Sequence, residues 1–598
     1  MTTTPMMKRY DVLVRVLDQL RLEAPLEYKS YHPGNDDGER LNTARSKAFI
    51  HLLLKVYFGL LEFSDREHFI TEGSQDGGID AYYVDSERKV IYFVQSKFRQ
   101  TGRNFEEKFI EPEELLQMDI TRILDGNLSS ESGQPYNAKI RSMVDRIKSI
   151  GDIARYRYQV IILANAKGIT KQKLTLLTGG LPTELFDHSA CYNRLLFPLV
   201  SGSFFNAEEL HLSLNLSNKN AGSKISYTAA TAHGKCEITV VFVPTLEIAK
   251  AMYRYRNAIL KHNPRSYLEL EGQNVNKAIR SSIESMKTNE FALFNNGITM
   301  LSDETYLNER IGQKDRAQLT VVNPQIINGG QTAYTLSQIY KDHMNEFPDE
   351  VFGEKEVLVK IITFDKAVTT EAGKLALIES ISRATNSQTI VTSADRRSNE
   401  PDIQAIQKRT FTQLGIFLER KRGEFADGMR EGYLAPVDIV DRNSFLRAAL
   451  VSQNRLREAA AKKVMTRTDF NTIVNVSDAI FQTYGVALVI LEHIHGINTT
   501  SRYAQSRLSP LTISQTRVAF IRALQQNVIS SSARERLTQV ADEVKTQWQP
   551  FVAFCTERNK GNDEFWITKK SGFTNFSMNL YLESEVVAED IRTFFMIA

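Results

Sequence analysis

The stretch from Gly77 to Phe98, GGIDAYYVDSERKVIYFVQSKF, restricts the fold more than any other in the chain. Ile79 to Val84 and Val90 to Lys97 are rich in Tyr, Val, Ile and Phe. They flank the polar run Asp85-Ser86-Glu87-Arg88-Lys89, which predicts two antiparallel strands joined by a turn. A turn centred near Glu87 or Arg88 sets Asp80 opposite Gln95. Side chains alternate along a strand, so Gln95 and Lys97 share a face, and one register brings Asp80 beside them. A structural hairpin needs none of the three, although an edge hairpin can carry a Lys to discourage strand addition.

An Asp and an amide oxygen suit Mg²⁺, which takes hard oxygen ligands, while a nearby Lys can orient or deprotonate a water and offset phosphate charge. Asp80…Gln95-Ser96-Lys97, approached by Gly77-Gly78-Ile79, resembles the D…(D/E/Q)-x-K signature of the restriction-endonuclease-like PD-(D/E)XK nucleases, in the Gln form of Mrr-type enzymes. The resemblance implies a metal-dependent endonuclease with Asp80, Gln95 and Lys97 as catalytic residues. It also implies Mg²⁺, with Mn²⁺ as the alternative, held by Asp80 and Gln95. Such nucleases often add a Glu from the helix before the hairpin, yet Asn42 to Leu61 offers Ile50 and His51 near that place. Glu62, Glu72 and Asp76 are the neighbouring carboxylates, and Asp76 is the expected extra metal ligand because the glycine turn can bring it back toward Asp80. Asp also forms turns by accepting local N–H groups, and that role fits Asp76 equally.

A chain of 598 residues is too long for one core, so two to four domains are expected. Cys191, Cys236 and Cys555 are widely separated, which argues against a cysteine zinc site or a disulfide framework and for a reducing compartment, the cytoplasm. The opening MTTTPMMKRYDVLVRVLDQL carries Arg and Asp at helical spacing and reads as an amphipathic helix. GVALVILEHIHGI is too short and too interrupted to cross a bilayer, so no membrane segment is expected.

Three polar phrases follow the hairpin region: FALFNNGITML (Phe291 to Leu301), VVNPQIINGGQTAYTL (Val321 to Leu336) and ISRATNSQTIVTSADRRS (Ile381 to Ser398). With KHNPRSYL and GIFLERKRGEF they resemble the AIPR family, named for abortive-infection phage resistance, over about Glu237 to Gly432. QLTVVNPQII reads as a strand, Asn328-Gly329-Gly330 as a tight exit and Gln331 to Tyr340 as a helix whose first N–H groups could meet an anion. No Lys follows the glycines, which excludes a Walker phosphate loop. Asn295, Asn296, Asn328, Gly329, Gly330, Gln331, Asn386 and Gln388 are the candidate ligand-binding residues, with loop-tying as their alternative role. Arg396, Arg397, Lys421 and Arg422 are the candidate phosphate contacts, against the alternative of a solvated face interleaved with Glu400, Glu419 and Glu424.

The expected fold is a multi-domain α/β protein. Residues 1–41 form an N-terminal helical segment, 42–215 a restriction-endonuclease-like mixed sheet with flanking helices, 236–432 an α/β AIPR domain and 433–598 a mainly helical C-terminal region. The resemblances imply an antiphage nuclease that cuts nucleic acid, DNA rather than RNA, with the AIPR region as sensor or substrate-binding module and a homo-oligomer or defence proteins as partners. The alternatives are a non-catalytic binding or signalling protein with a degenerate site, and an RNase acting on cellular RNA.

Overall fold

The computed structural model describes residues 9–34, 37–109, 115, 118–166, 168–205, 208–217, 225–263, 273–285, 288–365, 370–385, 397–496, 508–568 and 573–595. Helix α1 (Arg9–Leu22) forms because Val12, Leu13, Val16, Leu17 and Leu20 recur at helical spacing, and all five are buried. It packs on α2 (Gly38–Tyr57), which starts where the Asp37 side chain accepts the Arg40 N–H at 3.0 Å. The expected hairpin is present as β1 (Ala81–Asp85) and β2 (Val90–Ser96), paired with Ala81 opposite Val94. Asp85 Oδ1 accepts the N–H groups of Glu87 and Arg88 and so closes the turn. After α3 (Ala138–Lys148), the apolar run YRYQVIILANA gives β3 (Arg157–Leu163), which lies parallel to β2 and is followed by β4 (Thr183–Leu185). The sheet order is β1-β2-β3-β4, a mixed sheet with helices packed on it.

Strand β5 (Glu209–Asn215) leaves that sheet and pairs instead with a strand far along the chain, so the N-terminal unit ends before residue 215. The second unit continues with β6 (Ile225–Thr231), β7 (Gly234–Pro244), α4 (Thr245–Tyr255), β8 (Ile298–Ser302), β9 (Glu304–Asn308), β10 (Arg316–Val322), β11 (Gln325–Asn328), α5 (Gly330–His343), β12 (Glu356–Phe364) and α6 (Glu371–Thr385). The described residues form sheets in the orders β5-β10-β9 and β11-β8-β12-β7-β6. Alternate residues of β5, β10 and β12 meet α4 and α5 in one core. QLTVVNPQII is two strands rather than one, because Asn323, at φ +48°, and Pro324 break it.

The C-terminal region is helical: α7 (Arg442–Ser452), α8 (Asp478–His495), α9 (Pro510–Gln525) and α10 (Arg534–Thr546) share a further core. Helix α7 stops at Ser452, although no Gly or Pro follows before Met465, and Asn454 turns the chain at φ +63°. Among the described residues no helix is long and apolar enough to cross a membrane.

The units are not independent. Phe411, Phe417, Phe425 and Tyr433 enter the same core as α1, α2 and the first sheet. Arg15 pairs with buried Asp438 at 2.6 Å, and Arg9 donates to the Thr412 carbonyl at 2.8 Å. Deeper in, Glu23 accepts from Lys55 at 2.6 Å and from Arg66, with the Tyr433 hydroxyl beside them. Lys55 and Arg66 are enclosed while Glu23 is partly exposed, and enclosed charges persist only when paired, so this cluster fastens the first unit to the chain around residue 433.

Candidate active site

The site lies where β1 begins. The paired register starts with Ala81 opposite Val94, and one residue earlier the Asp80 N–H donates to the Val94 carbonyl at 2.9 Å, which sets Asp80 at the end of the hairpin, next to Gln95 and Ser96. Asp80 Oδ2 then accepts the Ser96 N–H at 2.7 Å, which fixes the carboxylate across the hairpin. Gln95 is 4 % exposed and donates its amide to the Gly78 carbonyl at 3.0 Å. Lys97 is exposed, and among the described residues its ammonium has no hydrogen-bond or ion-pair partner. All three line one cleft of about 610 Å³, together with Glu72, Asp76 and Ser46.

Asp76 behaves as a turn-former. Its two carboxylate oxygens accept the N–H groups of Gly73 (3.1 Å) and Gly78 (3.0 Å), while Gly77 and Gly78 take φ of +63° and +74°. A side chain at Gly77 would also meet Ile123 at 2.9 Å. Glu72 enters from the other side: its N–H and that of Thr71 both donate to the Asp80 carbonyl at 2.9 Å.

Three acids in one cleft disfavour one another's charge. Burial pushes the Asp80 carboxyl up to about 7; the Ser96 N–H opposes this, the charges of Asp76 and Glu72 add to it, and Lys97 opposes it. Burial also raises Asp76, against the N–H groups of Gly73 and Gly78. It raises Glu72 as well, where Lys47 pulls the other way.

From α2 it is Ser46 that reaches the cleft. Ile50 is in the core, and His51 is buried against Tyr31 and Arg66, its imidazole pushed down to about 4 by burial. Glu62 is also elsewhere, accepting from Tyr253 at 2.7 Å. Among the described residues no group of three or more His, Cys, Asp or Glu is arranged to hold a metal ion. The donors that do converge, carboxylate and amide oxygens, are those a Mg²⁺ retaining several waters would take.

The polar phrases of the second unit are built differently. Gly329 turns the chain at φ +81°, and a side chain there would lie 2.7 Å from the Gly297 carbonyl. Positive φ therefore belongs to Gly329 and not to Gly330, which opens α5 and is crowded instead by Asn263 and Leu260. Asn328 Oδ1 accepts the Gly329 N–H at 2.8 Å. Asn295 accepts the Gly297 N–H and donates to Thr332, and Gln331 donates to Asn276 at 2.9 Å. Asn296 is exposed, and Asn386 and Gln388 lie outside the described residues.

The basic segment requires correction. Lys421 is 2 % exposed, and its ammonium donates to the carbonyls of Lys261 (2.6 Å), Asn263 (2.9 Å) and Leu260 (3.4 Å), so it cannot reach a phosphate. Arg397 pairs with Glu400, donates to the carbonyls of Met465 and Thr468 and stacks over Phe470. Arg422 lines a small niche with Glu419 and Asp441, and Arg396 lies outside the described residues. Alternating charges hid this, because sequence gives no sign of which lysine is enclosed.

The model of the family described as AIPR protein matches residues 260–590, more than half of the chain. The chain belongs to the AIPR family. The match starts in the second unit and runs through the helical C-terminal region, so the AIPR part includes helices that the polar phrases did not mark. The hairpin and its cleft lie outside it. No curated protein and no solved structure matches the chain.

Proposed function

We propose that the N-terminal cleft is a phosphodiesterase site, and that this AIPR family chain is a Mg²⁺-dependent nuclease of phage defence, acting on DNA in preference to RNA. Family membership supports the role in abortive-infection defence. The nuclease reading is supported chiefly by one observation: Asp80, Gln95 and an exposed Lys97 line the same cleft. A bound Mg²⁺, or Mn²⁺, would polarise a phosphoryl oxygen and lower the pKa of a water. Asp80 supplies the charged oxygen that holds the ion, and the Ser96 N–H keeps that carboxylate in place. Gln95 adds an amide group beside it, anchored through Gly78. The Lys97 ammonium offsets phosphate charge or takes a proton from the attacking water. The AIPR region serves as sensor or substrate-binding module, in contact with the first unit through the shared core.

A non-catalytic nucleic-acid-binding protein is the second reading, favoured by Ser46 standing where the helix offers no carboxylate to the cleft. Incubating the purified chain with plasmid, phage DNA and total RNA, in Mg²⁺ and in EDTA, separates the readings. Cleavage of DNA that EDTA abolishes is the expected result. Cleavage of RNA alone would move the substrate, and binding without cleavage of any nucleic acid would leave the second reading.

A further inference from the structure

We infer that Glu72, and not Asp76, is the second carboxylate offered to a divalent cation beside Asp80; the inference rests on the nuclease reading above. The two acids differ in what their oxygens do. Both oxygens of Asp76 are engaged by its own loop, through Gly73 and Gly78, and the residue is 7 % exposed. Each of these N–H groups takes one lone pair, and together they hold the carboxylate turned toward its own loop, whereas Asp80 accepts, among the described residues, only the Ser96 N–H through one oxygen.

Glu72 has no such employment. Its Oε2 is buried and, among the described residues, accepts no hydrogen bond. An acceptor hidden this way is costly, and more so when charged, so a merely structural residue here would gain by being apolar. The backbone explains how it reaches the place. Consecutive N–H groups, of Thr71 and Glu72, converge on the single carbonyl of Asp80, as in a bulge, and this breaks the alternation that would have sent neighbouring side chains to opposite faces. Thr71 turns inward, with its hydroxyl on the Ile79 carbonyl at 2.5 Å, and Glu72 lines the cleft. An oxygen shut off from water-sized groups still suits a small cation, since Mg²⁺ sits about 2.0–2.1 Å from its ligands.

This assignment also accounts for the missing group of three acids. Two carboxylates, Asp80 and Glu72, with the Gln95 amide make a donor set that needs no third, and Mg²⁺ commonly keeps its remaining positions for waters and substrate phosphate. Glu72 thus takes from the loop the part that α2 leaves to Ser46.

The test is Mn²⁺ binding to the full chain, read at pH 8 from the electron paramagnetic resonance signal of free Mn²⁺, for the wild type and for Glu72→Gln, Asp76→Asn and Asp80→Asn, with a thermal melt of each. Glu72→Gln should melt no lower than the wild type and bind Mn²⁺ about tenfold or more weakly. Asp76→Asn should melt lower and, below its transition, keep the wild-type affinity within about twofold. Wild-type affinity in Glu72→Gln, with binding lost in Asp80→Asn, would overturn the inference and leave the nuclease reading standing. A wild type that binds no Mn²⁺ would overturn both. Binding lost in Glu72→Gln by a chain that cleaves no nucleic acid would support the ligand and sink the nuclease.

Discussion

Lys97 and Lys421 mark two opposite ways of using a polar side chain. Lys97 follows β2 and lines a cleft, exposed and without a hydrogen-bond or ion-pair partner among the described residues, beside acids whose charges repel. Lys421 is enclosed and donates to three backbone carbonyls from Leu260 to Asn263. The same contrast runs through their surroundings: Asn295, Asn328 and Gln331 are bonded within the protein, whereas the cleft gathers Asp80 and Glu72 at a cost in stability. Groups held at such a cost mark function more credibly than groups that tie loops together.

The contrast can be broken in several places. The largest effect is expected for Asp80→Asn, which removes ligand charge with little change of shape and should slow Mg²⁺-dependent cleavage by about 10³-fold or more. An unchanged rate would dissolve the distinction between the regions. Next is Lys421→Met: three carbonyls lose their donor, the melting midpoint should drop, and the loss is about 3 kcal/mol. A melt identical to the wild type would show that Lys421 does not hold the fold.

A subtler effect concerns Asp80 and pH. Its folded carboxyl, at about 7, lies above the ordinary 3.8, so folding binds the proton more tightly. That contribution is complete below pH 3.8 and is lost as pH rises through 7. Without divalent metal, Asp80→Asn should therefore be more stable than the wild type at pH 8, by roughly 2 kcal/mol, and the gain should vanish near pH 4. Urea melts at the two pH values check this, and a variant less stable at pH 8 would contradict it. The smallest effect is for Gln331→Ala, which loses its bond to Asn276 and about 1 kcal/mol. If it melted normally yet abolished phage protection, Gln331 would belong with the ligand-binding groups after all.

The hairpin was legible because alternation and turn chemistry are local, and the pairing of Ala81 to Asp85 with Val90 to Val94 bears that reading out, with Asp80 one residue before the paired stretch. The AIPR phrases were legible as a family signal, while the helices that complete the matched region carry no comparable motif. Three features could not be read. β5 pairs across more than a hundred residues with β10, a partnership no local pattern announces. The enclosure of Lys421 depends on the fold around it. The convergence of the Thr71 and Glu72 N–H groups on Asp80 re-aims Glu72, and regular alternation gives no hint of it.

The most direct test of the division between the two regions sets Lys97→Ala beside Lys421→Met, measuring for each the single-turnover cleavage rate in Mg²⁺, Mn²⁺ affinity and the melting midpoint. Lys97→Ala should melt like the wild type, keep its Mn²⁺ affinity and cleave about 10²-fold or more slowly. Lys421→Met should show the reverse, a lowered midpoint with the cleavage rate retained below the transition. If Lys97→Ala cleaved at the wild-type rate, the cleft would not be a nuclease site of this kind and the central claim would fall.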